Sequence, residues 1–499
     1  MPKSLAVIGL DGMSWRYFRK LLDKGVMPYT KGLLMRSFAT TLVCLPPTTP
    51  PSWASIMTGV NPGKHGIFGF FFYERGSWTQ RLYTVSELEH PRVHEMLSMR
   101  GLRSIVFNPI PDYPIPKVRN AEVISNLFFV PNPISQPEDA HRKYFGLTNP
   151  GEMVKSPSCE VLDECLRIVE VYLEAAGKAL ASDHSLLWIN LNLPDVVLHR
   201  CPEMLRESRV LAGERRLFNL LDKLVKEVGE THDSVVIVSD HGFARYSRIV
   251  SVNDILVKHG YARATEVRGM SEVGEYRIER RLAHVKGVRW VRVPPFVYKA
   301  VKLLRLRRLA RGLLSLYGSL TRNKVVVSTS RWVDVNHSAA FLPDHYSFGV
   351  YLRDRRFLVE VHGLLKKYNE LKTYLPEEFY HGPFVHRAPD IVLFPRFDLG
   401  YWVHGNNVTG LITASGDYYA HHPSGVLVVR DEELLNTELK PGSLPNYVVG
   451  WLVLHLLGQP LPKSRDRHEP LERALDVKAE ENYLARWRVM TRLRKVMGR

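Results

Sequence analysis

Two apolar runs in this chain end the same way, and that ending narrows the folds open to it. Leu5-Ala-Val-Ile-Gly-Leu10 runs into Asp11-Gly12, and Ser234-Val-Val-Ile-Val238 runs into Ser239-Asp-His-Gly242. Unbroken apolar runs of this kind are strands buried on both faces, as in a parallel sheet covered by helices. Ser185–Leu191 is a third such strand and leads to Pro194-Asp195, and Ser104–Phe107 is a short fourth. Helical spacing is predicted over 15–38, broken at Gly25 to Pro28, and over 160–181 and 203–229. Strands alternating with helices, with acids gathered where strands end, specify an open α/β sheet that binds ligands beyond its carboxyl edge. The sheet is predicted to resume at Ala388–Phe394 and Gly425–Val429, followed by a core helix over 445–458 that Gly458 and Pro460 stop.

The 499 residues exceed one simple core, so two or three domains, or one large domain with insertions, are expected. The alternation breaks between about 250 and 345, where 277–324 is rich in Arg and Lys and Phe296 to Leu316 has near-helical apolar spacing. This reads as an inserted lid, with a solvated helix face packed on the core as the equal alternative. The tail from Glu480 to Arg499 reads as a basic amphipathic helix. A formal net charge of +17 points to anionic partners: phosphorylated substrates, nucleic acid or an acidic membrane surface. The four cysteines form no C-x-x-C pair, so neither a zinc finger nor a disulfide framework is expected, and a reducing compartment fits. With no secretory signal and no apolar run long enough to span a bilayer, a cytoplasmic location is expected.

Chemistry collects at Pro46-Pro-Thr-Thr-Pro-Pro-Ser-Trp53, where prolines frame two hydroxyls before an apolar helical run. A threonine there caps a helix or sits where the helix start favours an anion. Asp195 and His199 share one face of a helical turn and can share a metal, and Asp240-His241 on a tight turn can serve a second ion. Carboxylate with imidazole suits zinc, manganese or iron over calcium. A further histidine is available in Tyr419-Ala-His-His-Pro-Ser-Gly425. Gly59 to His65 falls short of a P-loop and lacks the Ser or Thr after Lys64, and neither a Gly-x-Ser-x-Gly elbow nor a dinucleotide fingerprint is present.

Together, Ile8-Gly-Leu-Asp-Gly12, Thr49-Pro-Pro-Ser-Trp53 with Thr58-Gly59 and His65-Gly66, Asp195-x-x-x-His199, Ser239-Asp-His-Gly242 and His421-His-Pro-Ser-Gly425 resemble the type I phosphodiesterase/nucleotide pyrophosphatase family of the alkaline phosphatase superfamily. The resemblance covers about residues 3–265 and 345–460. It implies an α/β fold, alkaline-phosphatase-like, with a central mostly parallel sheet sandwiched by helices and an inserted basic cap. The expected core is 1–250 with 346–470, the cap 251–345, and the tail 471–499. It also implies two divalent metal ions, zinc first and manganese or iron as alternatives. Asp195, His199 and His421 would hold one, and Asp11, Asp240 and His241 the other, with Thr49 as nucleophile touching the second. Thr48 competes with Thr49, and His422 with His421. A family asparagine that binds phosphoryl oxygens is Ser52 here, which weakens any claim to nucleotides.

The implied activity is hydrolysis of a phosphodiester or nucleotide pyrophosphate through a phospho-threonine, on a small phosphate-ester substrate. The alternatives are a phosphomonoesterase, mutase or phosphoryl transferase of the same superfamily, or a non-catalytic protein that binds anionic surfaces.

Overall fold

The computed structural model describes residues 3–128, 132–206, 208–265, 288–292, 324–328, 331–437, 442–477 and 479–496. The expected apolar runs at Leu5–Leu10, Ser104–Phe107, Ser185–Leu191, Ser234–Val238 and Gly425–Val429 become strands of one nine-stranded sheet. Its order is Leu444–Pro445, Phe38–Val43, Ser424–Arg430, Ser234–Val238, Leu5–Leu10, Leu186–Leu191, Ser104–Phe107, Ala121–Ser125 and Ile134–Gln136. Leu5–Leu10 pairs in parallel with Leu186–Leu191 on one side and Ser234–Val238 on the other. Antiparallel neighbours flank this parallel centre: Ser424–Arg430 against Ser234–Val238, and Ile134–Gln136 at the far edge.

Side chains alternate across a strand, so Leu5–Leu10 feeds two cores at once. Ala6, Ile8 and Leu10 pack with the helices Trp15–Asp23, Val161–Leu180 and Ala212–Thr231. Leu5 and Val7 pack with Thr49–Thr58, Val93–Met99 and Val448–Leu456 on the opposite face. Every side chain of Leu5–Leu10 is buried, which is why the run reads as continuous rather than alternating. A third apolar cluster lies around an antiparallel four-stranded sheet of Ala340–Phe341, Gly349–Leu352, Ile391–Pro395 and Leu371–Tyr374.

The structure corrects several expectations. The helical reading of 15–38 overran: helices Trp15–Asp23 and Pro28–Leu34 are followed by the strand Phe38–Val43, whose alternating burial marks a sheet. The expected strand near Ala388–Phe394 forms at Ile391–Pro395 in the four-stranded sheet, not the main one. The predicted helix 203–229 is two, Glu203–Arg206 and Ala212–Thr231. Cys159 and Cys201, separated by 42 residues, form a disulfide, which removes the cysteine argument for a reducing compartment. Their pairing is decided by where two helices meet, so no local spacing announces it.

Most of the basic segment 277–324, with Phe296–Leu316, lies outside the described residues. Within the expected cap, Val252–Lys258 is a helix, and Arg331–Val333 pairs with Ala264–Thr265 and Asn407–Val408. The tail forms the helix Tyr483–Val496. Among the described residues, no helix is long and apolar enough to cross a membrane.

Candidate active site

The site lies at the carboxyl edge of the three central strands, and each strand delivers an acid to it. Asp11 follows Leu5–Leu10, Asp240 follows Ser234–Val238, and Asp195 opens the helix Asp195–Arg200 beyond Leu186–Leu191. The crossover is tight. Gly12 turns at φ +77°, its N–H donates to Asp240 Oδ1 at 3.3 Å, and Asp195 N–H donates to the Asp11 carbonyl at 2.9 Å. Glycine is required here, because a Cβ on residue 12 would lie 2.8 Å from Asp195 Cβ.

Two sets of donor atoms result. Asp195 Oδ1 lies 3.3 Å from His199 Nε2 and 3.2 Å from His421 Nε2, and the two imidazole nitrogens are 3.1 Å apart. His241 Nε2 lies 3.4 Å from both Asp11 Oδ1 and Asp240 Oδ2. Thr49 Oγ1 is 3.3 Å from the same nitrogen. The rings of His241 and His421 stack at 3.7 Å, so the two sets adjoin. His421 rather than His422 points inward; His422 Nδ1 accepts the Ser424 N–H instead.

The tautomers follow from carbonyls, which can only accept. His421 Nδ1 donates to the Pro47 carbonyl at 2.9 Å and His241 Nδ1 to that of Gly242 at 3.0 Å. Both Nε2 lone pairs are therefore aimed into the cluster. Three buried carboxylate oxygens, Asp11 Oδ1, Asp195 Oδ1 and Asp240 Oδ2, accept no hydrogen bond. Burial pushes the Asp11 carboxyl well above the usual carboxylate range, and the Asp195 charge adds to it. Burial and the charges of Asp11 and Asp195 do the same to Asp240. Burial works against ionised Asp195 as well, yet His199 and His421 outweigh it and hold that carboxyl well below the usual range. Burial, with His421 beside it, drives His241 well below the normal imidazole value.

Lone pairs converging this closely repel one another unless cations lie between them. The donor groups Asp11/Asp240/His241 and Asp195/His421, the latter with His199 Nε2 3.1 Å from His421 Nε2, are each compact enough to hold a metal ion. Edges of 3.1–3.4 Å match a tetrahedron with metal–ligand bonds of about 2.0–2.1 Å. The residues thus fit two divalent ions.

The helix Thr49–Thr58 separates the two threonines. Thr48 is its extended N-cap, and its buried hydroxyl donates to the Tyr346 carbonyl at 3.0 Å. Thr49 is the first helical residue and faces the donors. Pro50 and Pro51 carry no N–H, and the Ser52 N–H donates to the Thr48 carbonyl, which leaves the Thr49 N–H as the donor at this helix start. Ser52 is buried; its hydroxyl donates to the Asp240 carbonyl at 2.6 Å and accepts from Asn446 Nδ2 at 2.9 Å.

Sequence reasoning passed over three residues. Trp53, read as part of an apolar run, donates its indole N–H to Asp11 Oδ2 at 3.1 Å. Asn446 steadies Ser52. Tyr346 places its hydroxyl 3.5 Å from His199 Nε2 and its ring 4.6 Å from that of His421. A tryptophan between strand-end acids was the one available signal; Tyr346 and Asn446 carry none.

The family model for type I phosphodiesterase / nucleotide pyrophosphatase matches residues 5–422. The chain belongs to this family. No curated protein sequence matches it. Among solved structures, phosphonoacetate hydrolase from Sinorhizobium meliloti 1021, in complex with phosphonoformate, is similar at a TM-score of 0.58 and 16% identity, covering 91% of this chain and 96% of that one. Murine ectonucleotide pyrophosphatase / phosphodiesterase 5, as an inactive threonine-to-alanine variant with AMP, is similar at 0.51 and 14%, covering 95% and 99%. At these identities the likeness shows the fold alone. The family is metal-dependent, in keeping with the two donor sets.

Proposed function

We propose that this family member hydrolyses phosphodiester or pyrophosphate bonds with Thr49 as nucleophile. Asp195, His199 and His421 would hold one divalent ion and Asp11, Asp240 and His241 the other, zinc being the ion their chemistry suits best. The observation that carries the reading is the Thr49 hydroxyl set 3.3 Å from His241 Nε2, at the edge of two donor sets whose inward carboxylate oxygens, Asp11 Oδ1, Asp195 Oδ1 and Asp240 Oδ2, accept no hydrogen bond. The inactivity of the murine threonine-to-alanine variant supports a threonine as the attacking group.

Bound ions of this kind act as Lewis acids, lowering the pKa of a hydroxyl or water and offsetting charge on phosphoryl oxygens. The chain's own part begins with position. Thr49 opens the helix with its hydroxyl against the donors, and in this reading Oγ1 attacks phosphorus while the Thr49 N–H at the helix start holds a phosphoryl oxygen. One Oγ–P bond forms, the bond to the leaving oxygen breaks, and the threonine proton passes to solvent. Water then cleaves the phospho-threonine and releases phosphate monoester. Trp53 and Gly12 hold Asp11 and Asp240 by one oxygen each and leave the second oxygen inward. Ser52, the sequence candidate for substrate binding, ties the nucleophile helix to the Asp240 backbone and acts by positioning.

The test is turnover of bis-p-nitrophenyl phosphate by protein loaded with zinc or manganese, with metal content measured in parallel. Two ions per chain and chelator-sensitive turnover are expected. Metal-free protein that turns over equally well overturns the reading.

A further inference from the structure

The ribbon that carries His421 continues outward from the donor cluster. Gly242–Val250 pairs antiparallel with Thr413–His422, with Phe243 opposite His421 and Arg245 opposite Tyr419. Partners across an antiparallel pair share a face, and a step of two residues advances about 7 Å. One face therefore leads from His421 and Phe243 to Tyr419 and Arg245. Phe243 also packs edge-on against His199, with ring centroids 4.7 Å apart, so this face begins at the half of the site built from Asp195, His199 and His421.

A cavity of about 320 Å³ opens on it, with Phe243, Arg245 and Ser247 on one wall and Arg16 and Arg206 on the others. Arg16 comes from the helix Trp15–Asp23, just beyond Asp11 and Gly12, and Arg206 from the helix that follows His199. Arg245 Nε donates to Asp417 Oδ1 at 2.7 Å, and Arg206 reaches the same carboxylate at 3.6 Å. Arg206 also donates to the Tyr419 hydroxyl and lies over that ring at 5.1 Å. Glu203 lies close enough to act on Arg206 electrostatically. Arg16 has no ion pair among the described residues and is exposed. Two guanidinium groups thus divide one carboxylate while a third stands open, and all three are exposed. Guanidinium forks of this sort are suited to phosphate oxygens.

We propose that this cavity is a subsite for a second phosphate of the substrate, held by Arg16, Arg206 and Arg245 while the scissile phosphorus sits at Thr49. The proposal rests on the hydrolase reading and deepens it: substrates with two linked phosphates are preferred over simple diesters. Asp417 is then a competitor that restrains Arg206 and Arg245 in the absence of ligand.

The test compares ADP with AMP, which differ by one phosphate. Dissociation constants are measured by calorimetry on the metal-loaded protein, without need of turnover. In the wild type ADP binds at least tenfold tighter than AMP. That ratio falls to within about threefold of unity in the double variant Arg16→Ala/Arg245→Ala, and rises in Asp417→Asn, which removes the competing carboxylate charge. A ratio unchanged in both variants, or lowered by Asp417→Asn, overturns the subsite. Because all of these side chains lie at the surface, loss of folding is not expected, and the AMP constant serves as the internal reference. Failure of metal-loaded wild-type protein to cleave both bis-p-nitrophenyl phosphate and ADP while the ADP ratio still responds would sink the hydrolase and leave the anion site standing.

Discussion

Replacing Thr48 and Thr49 by valine, one at a time, separates structure from chemistry at adjacent positions. Both side chains are buried, so valine keeps the volume and opens no cavity. The Thr48 hydroxyl donates to the buried Tyr346 carbonyl at 3.0 Å, and its loss costs about 1–3 kcal/mol. The Thr49 hydroxyl has only the 3.3 Å contact with His241, so its loss costs under about 1 kcal/mol. On turnover the order reverses. Removing a nucleophile costs on the order of 10⁴-fold or more, whereas Thr48→Val leaves the reacting atoms in place and costs less than about tenfold. Urea unfolding of each variant gives the stability term, and bis-p-nitrophenyl phosphate turnover per folded molecule gives the other. Retention of a tenth of wild-type turnover by Thr49→Val, or its collapse in Thr48→Val with folding intact, refutes the assignment.

Gly12→Ala forces a left-handed backbone on a residue with a Cβ, at about 1–2 kcal/mol, and presses that Cβ to 2.8 Å from Asp195 Cβ; turnover falls about 10–100-fold with weakened metal affinity, both measurable by titration. Reducing Cys159–Cys201, or Cys201→Ser, frees the end of the helix that carries Asp195 and His199; closing 42 residues is worth about 4 kcal/mol, and metal affinity should fall together with stability in calorimetry. Burial holds His65 at a pKa of about 3, His90 at about 4 and His94 at about 3. Unfolding lets all three take up protons below about pH 6.5, so stability drops as pH falls from there toward 4, by about 1.4 kcal/mol per unit for each. His65→Gln, which can still reach Ser55, shallows that slope in pH-dependent denaturation.

The sequence alone determined the strand ends and the acids on them. Leu5–Leu10 and Ser234–Val238 are buried on both faces, and such strands carry too few polar positions to blur the pattern. The Asp195–His199 pair was legible for a similar reason, since helical spacing is a local property. Phe38–Val43 escaped because its alternation looks like the end of a helix until Ser424–Arg430 lies beside it. The disulfide, the indole of Trp53 on Asp11 and the hydroxyl of Tyr346 near His199 join residues 42 to 147 positions apart. The arginine cavity is likewise assembled from three elements distant in the chain. The choice between Thr48 and Thr49 is of this kind too. Both threonines satisfy every local rule, and only the tertiary structure gives one of them a carbonyl to bind while leaving the other facing the donor atoms.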